Sequence, residues 1–336
     1  MTGLYNALYK YISPIFGYIM LFFFWVVNGF NGSYGIAIIL FTIFARMFTL
    51  PSTISQQKGM AKQQRLQPKI RRIQEKYAGD QKKIQEETQA LYAREGYNPM
   101  NAGCLPLLIQ MPFIIGLFGV LYNPLRYAIG LDAETSDQFV NIFTDMVKNG
   151  VTSDIAGLES VKESMSRYFP LYIIQHFDEV LKYISANNIT GISQTAIDQV
   201  QAFVDADRFT FFTLQLGQTP EFKHFSKYWA IPILSGVTSL LSSWIMQRQQ
   251  KKMNQGQKTP GAGCTFIMMP AMSVWFTFMF PCGIGVYWIT SNIVTTIQSM
   301  ILRKVMSPQK NIAKLMIKES VERRSRENSI KRISAK

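Results

Sequence analysis

Apolar residues in this 336-residue chain gather into long charge-free runs. Four of them, 102–124, 228–247, 264–281 and 283–301, contain no Asp, Glu, Lys or Arg, and a fifth, 34–54, is apolar apart from Arg46. Each approaches the roughly 17–25 residues with which a helix crosses a bilayer. The pattern predicts an all-α polytopic membrane protein with a five-helix transmembrane core. Residues 15–27 form a shorter, aromatic-rich apolar stretch. It makes 1–33 either an interfacial helix or an extra spanning one.

The polar segments have their own pattern. In 55–101, Met60, Ile70, Ile73 and Tyr77 recur at roughly helical spacing; Ala78-Gly79-Asp80 then reads as a turn, with Asp80 as N-cap. A second helix over 81–95 carries Ile84, Leu91 and Tyr92 on one side. This predicts a charged helical hairpin with a thin apolar seam. Segment 125–227 is long, and about 135–207 alternates helical periodicity with turn signals, which predicts a helical insert; Tyr168–Ile184 reads as one amphipathic piece. The stretch 248–263 is a basic Gly-containing loop, and 302–336 is a basic tail.

Charge sets the expected orientation. Segments 55–101, 248–263 and 302–336 carry net charges of +5, +4 and +8, whereas 125–227 carries −5. Lys and Arg concentrate on the cytoplasmic side of membrane proteins. The basic segments are therefore expected in the cytoplasm and 125–227 outside, in a multi-pass membrane protein; the resemblance given below implies the bacterial cell membrane.

Arg46 changes the picture most. A cation placed centrally in an apolar span costs roughly 2.5–3.5 kcal/mol on insertion scales. Such a charge faces a bundle interior or a wet cavity, or else snorkels to headgroups. Thr42, Arg46, Thr49 and Thr53 fall at i, i+4, i+7 and i+11, one face of a continuous helix. Ser239, Ser242 and Ser243 in the third run, and Ser291 and Asn292 in the fifth, concentrate polarity in the same, inner half. Together they predict a hydrophilic groove open to the cytoplasm, although Ser and Thr also serve as ordinary helix-contact residues.

No acidic residue occurs in the five runs, which argues against proton- or cation-coupled transport. Metal-ligand spacing, a phosphate loop and a Ser/His/Asp arrangement are likewise missing from plausible contexts, so no catalytic residue, metal or cofactor is expected.

The chain resembles the YidC family of membrane-protein insertases over most of 30–130 and 209–303. The resemblance rests on Gly35–Pro51 with its arginine, Leu66-Gln67-Pro68-Lys69-Ile70, Tyr92-Ala93-Arg94-Glu95-Gly96-Tyr97-Asn98-Pro99, Gly103–Pro112, Ile233–Thr238 and Pro281–Asn292. It implies a five-helix core, a cytoplasmic hairpin and a positively charged groove lined in part by Tyr287, with Arg46 as the groove arginine and with Thr42 and Trp288, of the Tyr287-Trp288 pair, at positions of substrate contact. It also implies an insertase that uses no nucleotide and acts as a monomer. Its partners would be nascent membrane proteins and lipids, with the ribosome reached through the basic tail and hairpin, and with a Sec translocon and the signal recognition particle pathway. Two departures stand out. Ser242 and Ser243 occupy the place of a frequent family glutamine, and nothing carries over to 135–207. The rival reading is a transporter or scramblase that uses Arg46 as a site for an anionic lipid or metabolite.

Overall fold

A computed structural model describes residues 2–97, 115–155, 157–159, 161–253 and 262–305, with isolated positions between 313 and 327. The chain divides into two compact units. One comprises 1–45, 111–244 and 261–293, and the other 46–110, 245–260 and 294–336.

In the first unit, helix α1 (Thr2–Val26) buries Met20 and Phe24 while Tyr11, Ile15, Tyr18, Phe22 and Trp25 stay exposed at helical spacing. Gly17 allows close approach: a Cβ there would lie 2.0 Å from Cδ1 of Tyr127, in the π-helical turn Leu125–Ile129. Helix α2 (Ser33–Phe48) buries Tyr34, Ile38 and Phe41, and Phe16 packs edge-on against Phe41 at 6.0 Å. Of the second apolar run, 115–121 is helical, and its prolines Pro106 and Pro112 lie outside the described residues.

The insert is a small helical layer of α5 (Ala133–Lys148), α6 (Phe169–Gln175), α7 (Phe177–Ala186) and α8 (Gln194–Asp205). Asp132 caps α5 by accepting from the Thr135 N–H at 2.9 Å. Phe139, Phe143, Phe169, Phe177 and Phe203 form its core, with Phe143 and Phe169 rings 5.0 Å apart. The single amphipathic piece expected over Tyr168–Ile184 is instead two helices, because His176 leaves helical geometry at φ −125°, ψ 39°. No Pro or Gly marks that break.

After α8 the chain forms a strap, Arg208 to Gln218, containing strands β1 (Thr210–Phe211) and β2 (Leu214–Gln215), with Thr210 opposite Gln215. Its turn residues Phe212 and Thr213 have φ of 52° and 141°, a positive pair usually filled by Gly, Asn or Asp. The strap closes two helix N-termini. The N–H of Tyr34, in the first turn of α2, donates to Arg208 O at 3.2 Å. The N–H groups of Cys282 and Gly283, which open helix α11 (Cys282–Val305), donate to Gln218 O and Leu216 O, both at 2.8 Å. Helix-start donors have no intrahelical partners, so the strap supplies them. Gly35 leaves room for it, since a Cβ there would meet the Phe211 ring at 2.4 Å.

Helix α9 (Ala230–Met253) packs on α10 (Ala262–Met279) through small residues. The Ser235 and Ser273 hydroxyls are 2.7 Å apart, and Gly236 faces Val274.

The second unit contains helices α3 (Leu50–Lys76) and α4 (Gln81–Arg94). Asp80 caps α4, accepting from the Lys83 N–H at 3.1 Å. Leu66, Ile70 and Tyr97 form a small core with Leu91 and Tyr92 against it, and Lys69 pairs with Glu95. The run expected as one continuous span, 34–54, is divided: α2 ends at Phe48, α3 starts at Leu50, and the axis bends by 49° at the break. Pro51 explains the break, because it has no N–H to offer and its ring crowds the carbonyl four residues earlier.

By length and hydropathy, Lys227–Gln249 is long and apolar enough to cross a bilayer alone, and Ser33–Phe48 with Leu50–Gly59 qualifies as one bent span. Lys10–Val26 and Ile267–Met279 are shorter apolar helices. The charge-free runs predict five spans. Helix α11, with 24 residues, reaches about 36 Å, but its Thr, Ser, Asn and Gln residues dilute its hydropathy. Most of the second run, 102–114, lies outside the described residues.

Two stability predictions follow from the first unit. Gly17→Val should drive the helix off Tyr127 and cost about 1–3 kcal/mol by overpacking, read as a lowered melting temperature in detergent. Gly191→Ala, with nothing within 4 Å, should change stability by less than about 0.5 kcal/mol. His176 gives a pH dependence. Burial holds its imidazole below the ordinary histidine range, opposed by the Glu179 and Glu159 carboxylates. The native state therefore binds fewer protons than the unfolded chain, and stability is full above the unfolded value of about 6.5 and declines as pH falls below it. Thermal unfolding at pH 7.5 and 5.5 should show this loss, and His176→Gln should reduce it.

Candidate functional site

Arg46 sits in the last turn of α2 and is half-buried. A cation at a helix C-terminus is favoured by the macrodipole, and the carbonyls there need donors from outside the helix. The Arg46 carbonyl has two: the Gln298 amide at 2.9 Å and the Thr49 hydroxyl at 3.2 Å. The Thr53 hydroxyl in turn donates to Thr49 O at 3.2 Å. Arg46, Thr49, Thr53 and Gln298 all belong to the second unit. The bend at Thr49 separates Thr49 and Thr53 from the Thr42–Arg46 face, so the four do not form the straight stripe their spacing predicts. Gln298 is one of the polar residues towards the inner end of the fifth run, though not among the groove residues singled out above. Its signal is a spacing of seven from Ser291, two turns along one face of α11.

The other expected residues lie in the first unit, where burial sorts them. Thr42 is fully buried, and its hydroxyl donates to Ile38 O at 2.6 Å, which closes it to any cavity in this conformation. Tyr287 and Ser291 are also buried. Trp288 is partly exposed and stacks on Phe276, with centroids 5.7 Å apart at 22°. Ser239, Ser242, Ser243 and Asn292 are partly exposed. The Asn292 amide approaches Thr238 Oγ1 at 3.5 Å, while that hydroxyl donates to Leu234 O at 2.8 Å and Ser235 O at 3.1 Å. A polar seam thus joins α11 to α9, and Ser235–Ser273 carries it on to α10. Ser273 and Thr277, both buried on α10, were not legible as part of it, because the Met and aromatic residues around them read as an apolar face.

Chemically, the first unit offers an indole, hydroxyls and amides, and the second offers the Arg46 guanidinium with the Thr49 and Thr53 hydroxyls. Helices α2, α9, α10 and α11 contain no Asp or Glu. Among the described residues no group of three or more His, Cys, Asp or Glu side chains could hold a metal ion. Cys282 is buried and unbridged, and Cys104 lies outside the described residues.

The sequence profile of the 60Kd inner membrane protein family matches residues 25–310. The chain is 30% identical over 273 residues to the chloroplast inner membrane protein PPF-1 of Pisum sativum, covering 81% of this chain and 49% of that one. It is 29% identical over 280 residues to the chloroplast inner membrane protein ALBINO3 of Arabidopsis thaliana, covering 83% and 48%. The chain thus spans about half the length of these plant relatives. To the membrane protein insertase YidC of Oceanobacillus iheyensis it is 26% identical over 290 residues, covering 85% of this chain and 80% of that one. With its apolar helices, its arginine-bearing α2 and a match over most of its length, the chain belongs to the 60Kd inner membrane protein family, that of the YidC, Oxa and Alb proteins.

Proposed function

We propose that this protein is a membrane-protein insertase. It moves short extracytoplasmic tails and transmembrane helices of nascent proteins into the bilayer through a hydrophilic groove carrying Arg46, without nucleotide hydrolysis. The observation that carries the reading is a half-buried arginine in an apolar helix of a protein whose relatives include a named insertase. In the proposed topology the basic segments 55–101, 248–263 and 302–336 face the cytoplasm, and 125–227 faces outward, as their charges favour.

A polar, often acidic, leading tail would meet Arg46 as a charge-assisted partner, with the Thr49 and Thr53 hydroxyls of the same unit; Ser239, Ser242, Ser243 and Asn292 would offer it hydroxyls and an amide on the first unit. Trp288 would contact the following apolar segment. Transfer of that segment into lipid, at about 25 cal/mol per Å² of apolar surface, would drive release. The basic hairpin and tail suit the ribosome or anionic lipid. A Sec translocon and the signal recognition particle pathway are further proposed partners, with the protein acting as a monomer.

The test is photocrosslinking from Ser239, Ser242 and Trp288 to a stalled single-span nascent protein, with exposed Trp275 as the lipid-facing control. Crosslinks at the first three, reduced about tenfold or more in Arg46→Ala and partly kept in Arg46→Lys, are expected from loss of a charged hydrogen bond. Crosslinking indifferent to Arg46, together with an Arg46-dependent flux of small anions or lipid, would replace this reading with the transporter or scramblase one.

A further inference from the structure

Phe212 combines two unfavourable features. It is 82% exposed, and it holds a positive φ of 52° at the tip of the strap. A bulky side chain in that region is a genuine outlier, and such strain persists where the surrounding structure fixes it, often for a purpose. Its ring touches Phe211 edge-on at 4.6 Å, and Phe211 covers Gly32 and Gly35 at the start of α2. Phe212 therefore lies at the level where the apolar helix begins.

A second loop, 221–229, reaches the corresponding level of two other helices. Phe222 and Phe225 are 75% and 82% exposed. Both rings meet Trp229, the residue just before α9, and Phe222 also meets Phe278 near the end of α10 at 5.2 Å. The loop is pre-shaped, because the Trp229 indole N–H donates to Glu221 O at 2.9 Å and His224 O at 3.0 Å. That clasp fixes the loop with Phe222 and Phe225 packed on Trp229 along one edge and open to the surroundings over most of their surface. Exposed Lys223 and Lys227 flank them. Directly below, α9 continues the apolar surface with exposed Ile233, Leu234 and Val237.

We propose that Phe212, Phe222 and Phe225 are seated in the bilayer at the headgroup–acyl boundary, with Lys223 and Lys227 at phosphate level, so that strap and loop form a lipid-docking rim. Three observations single out lipid as the occupant. All three rings lie at the ends of apolar helices; the patch is continuous with the exposed apolar face of α9; and its cations match anionic headgroups. The rim rests on the topology given above only for which leaflet is meant, and not on the insertase reading.

The experiment is spin-label depth measurement on the full chain in phosphatidylcholine–phosphatidylglycerol vesicles. The background is Cys104→Ser and Cys264→Ser, leaving Cys282, which is buried. Labels enter at Phe212→Cys, Phe222→Cys and Phe225→Cys. Leu241→Cys is the lipid-facing reference and Ala186→Cys, at the end of α7, the aqueous one; both positions are exposed. All three test labels should collide preferentially with oxygen over a nickel chelate, as at Leu241 and several-fold more than at Ala186. Chelate-dominated collisions at Phe212 or Phe225 would overturn the rim. So would dipolar coupling between labels on two molecules, which would make the patch a self-association surface. Because every labelled site is exposed, helical content by circular dichroism should match that of the cysteine-substituted background, and the reading does not depend on insertion activity.

Discussion

Backbone donors at helix starts must be satisfied wherever water is scarce, and the first unit is organised around that requirement. Helices α2 and α11 both begin against the same strap, which lends carbonyls of Arg208, Leu216 and Gln218 to their opening N–H groups. The requirement reaches into the sequence. Gly32 and Gly35 are small because the strap passes over them, and a Cβ on either would collide with Thr210 O or the Phe211 ring. The strap in turn leans on the insert, where the Gln218 amide donates to the Gln175 side chain at 2.9 Å. An apparently peripheral domain thereby helps fix where two apolar helices start.

At the other end of α2 the problem is reversed, with carbonyls in excess and a cation in place of an acceptor. Dipole attraction for Arg46 is worth about 0.3–1 kcal/mol, against an insertion cost of roughly 2.5–3.5 kcal/mol for a centrally placed arginine. The helix end alone does not offset the charge. Gln298 and Thr49 satisfy the Arg46 carbonyl, which fixes the backbone there.

How far the sequence discloses this varies with the physics of each feature. Helices α9, α10 and α11 lie along charge-free runs, because membrane-length apolarity is a strong, one-dimensional signal. The Asp80 cap was legible for the same reason: it is local. The break at Thr49 was available in Pro51, but the polar spacing across it invited a continuous helix. The break at His176 carries no local mark, and it follows from packing that sequence periodicity does not record. The strap has no sequence signal of its own. Its strands are two residues each, and its positive-φ turn uses Phe212 and Thr213 where Gly or Asn would have announced it. Within the site, residue types were readable but burial was not. Thr42 shares a face with Arg46, yet its hydroxyl is bonded to its own helix and sealed, while Gln298, seemingly one more polar residue on α11, reaches the Arg46 carbonyl.

On the proposed insertase reading, the same magnitudes would account for how a substrate leaves. A charged hydrogen bond of the kind Arg46 offers is worth about 1.5–3 kcal/mol, and moving one large aliphatic side chain from water to lipid is worth about the same. One or two such side chains therefore offset the arginine's hold on a leading carboxylate, and a full transmembrane segment exceeds it many times over. No second energy source is needed for release, and an acidic residue among the helices would only repel the tails that Arg46 attracts. Arrival depends on tail charge and departure on helix hydrophobicity, two properties that a substrate varies independently. A single cation, placed where one apolar helix stops, is enough to separate them.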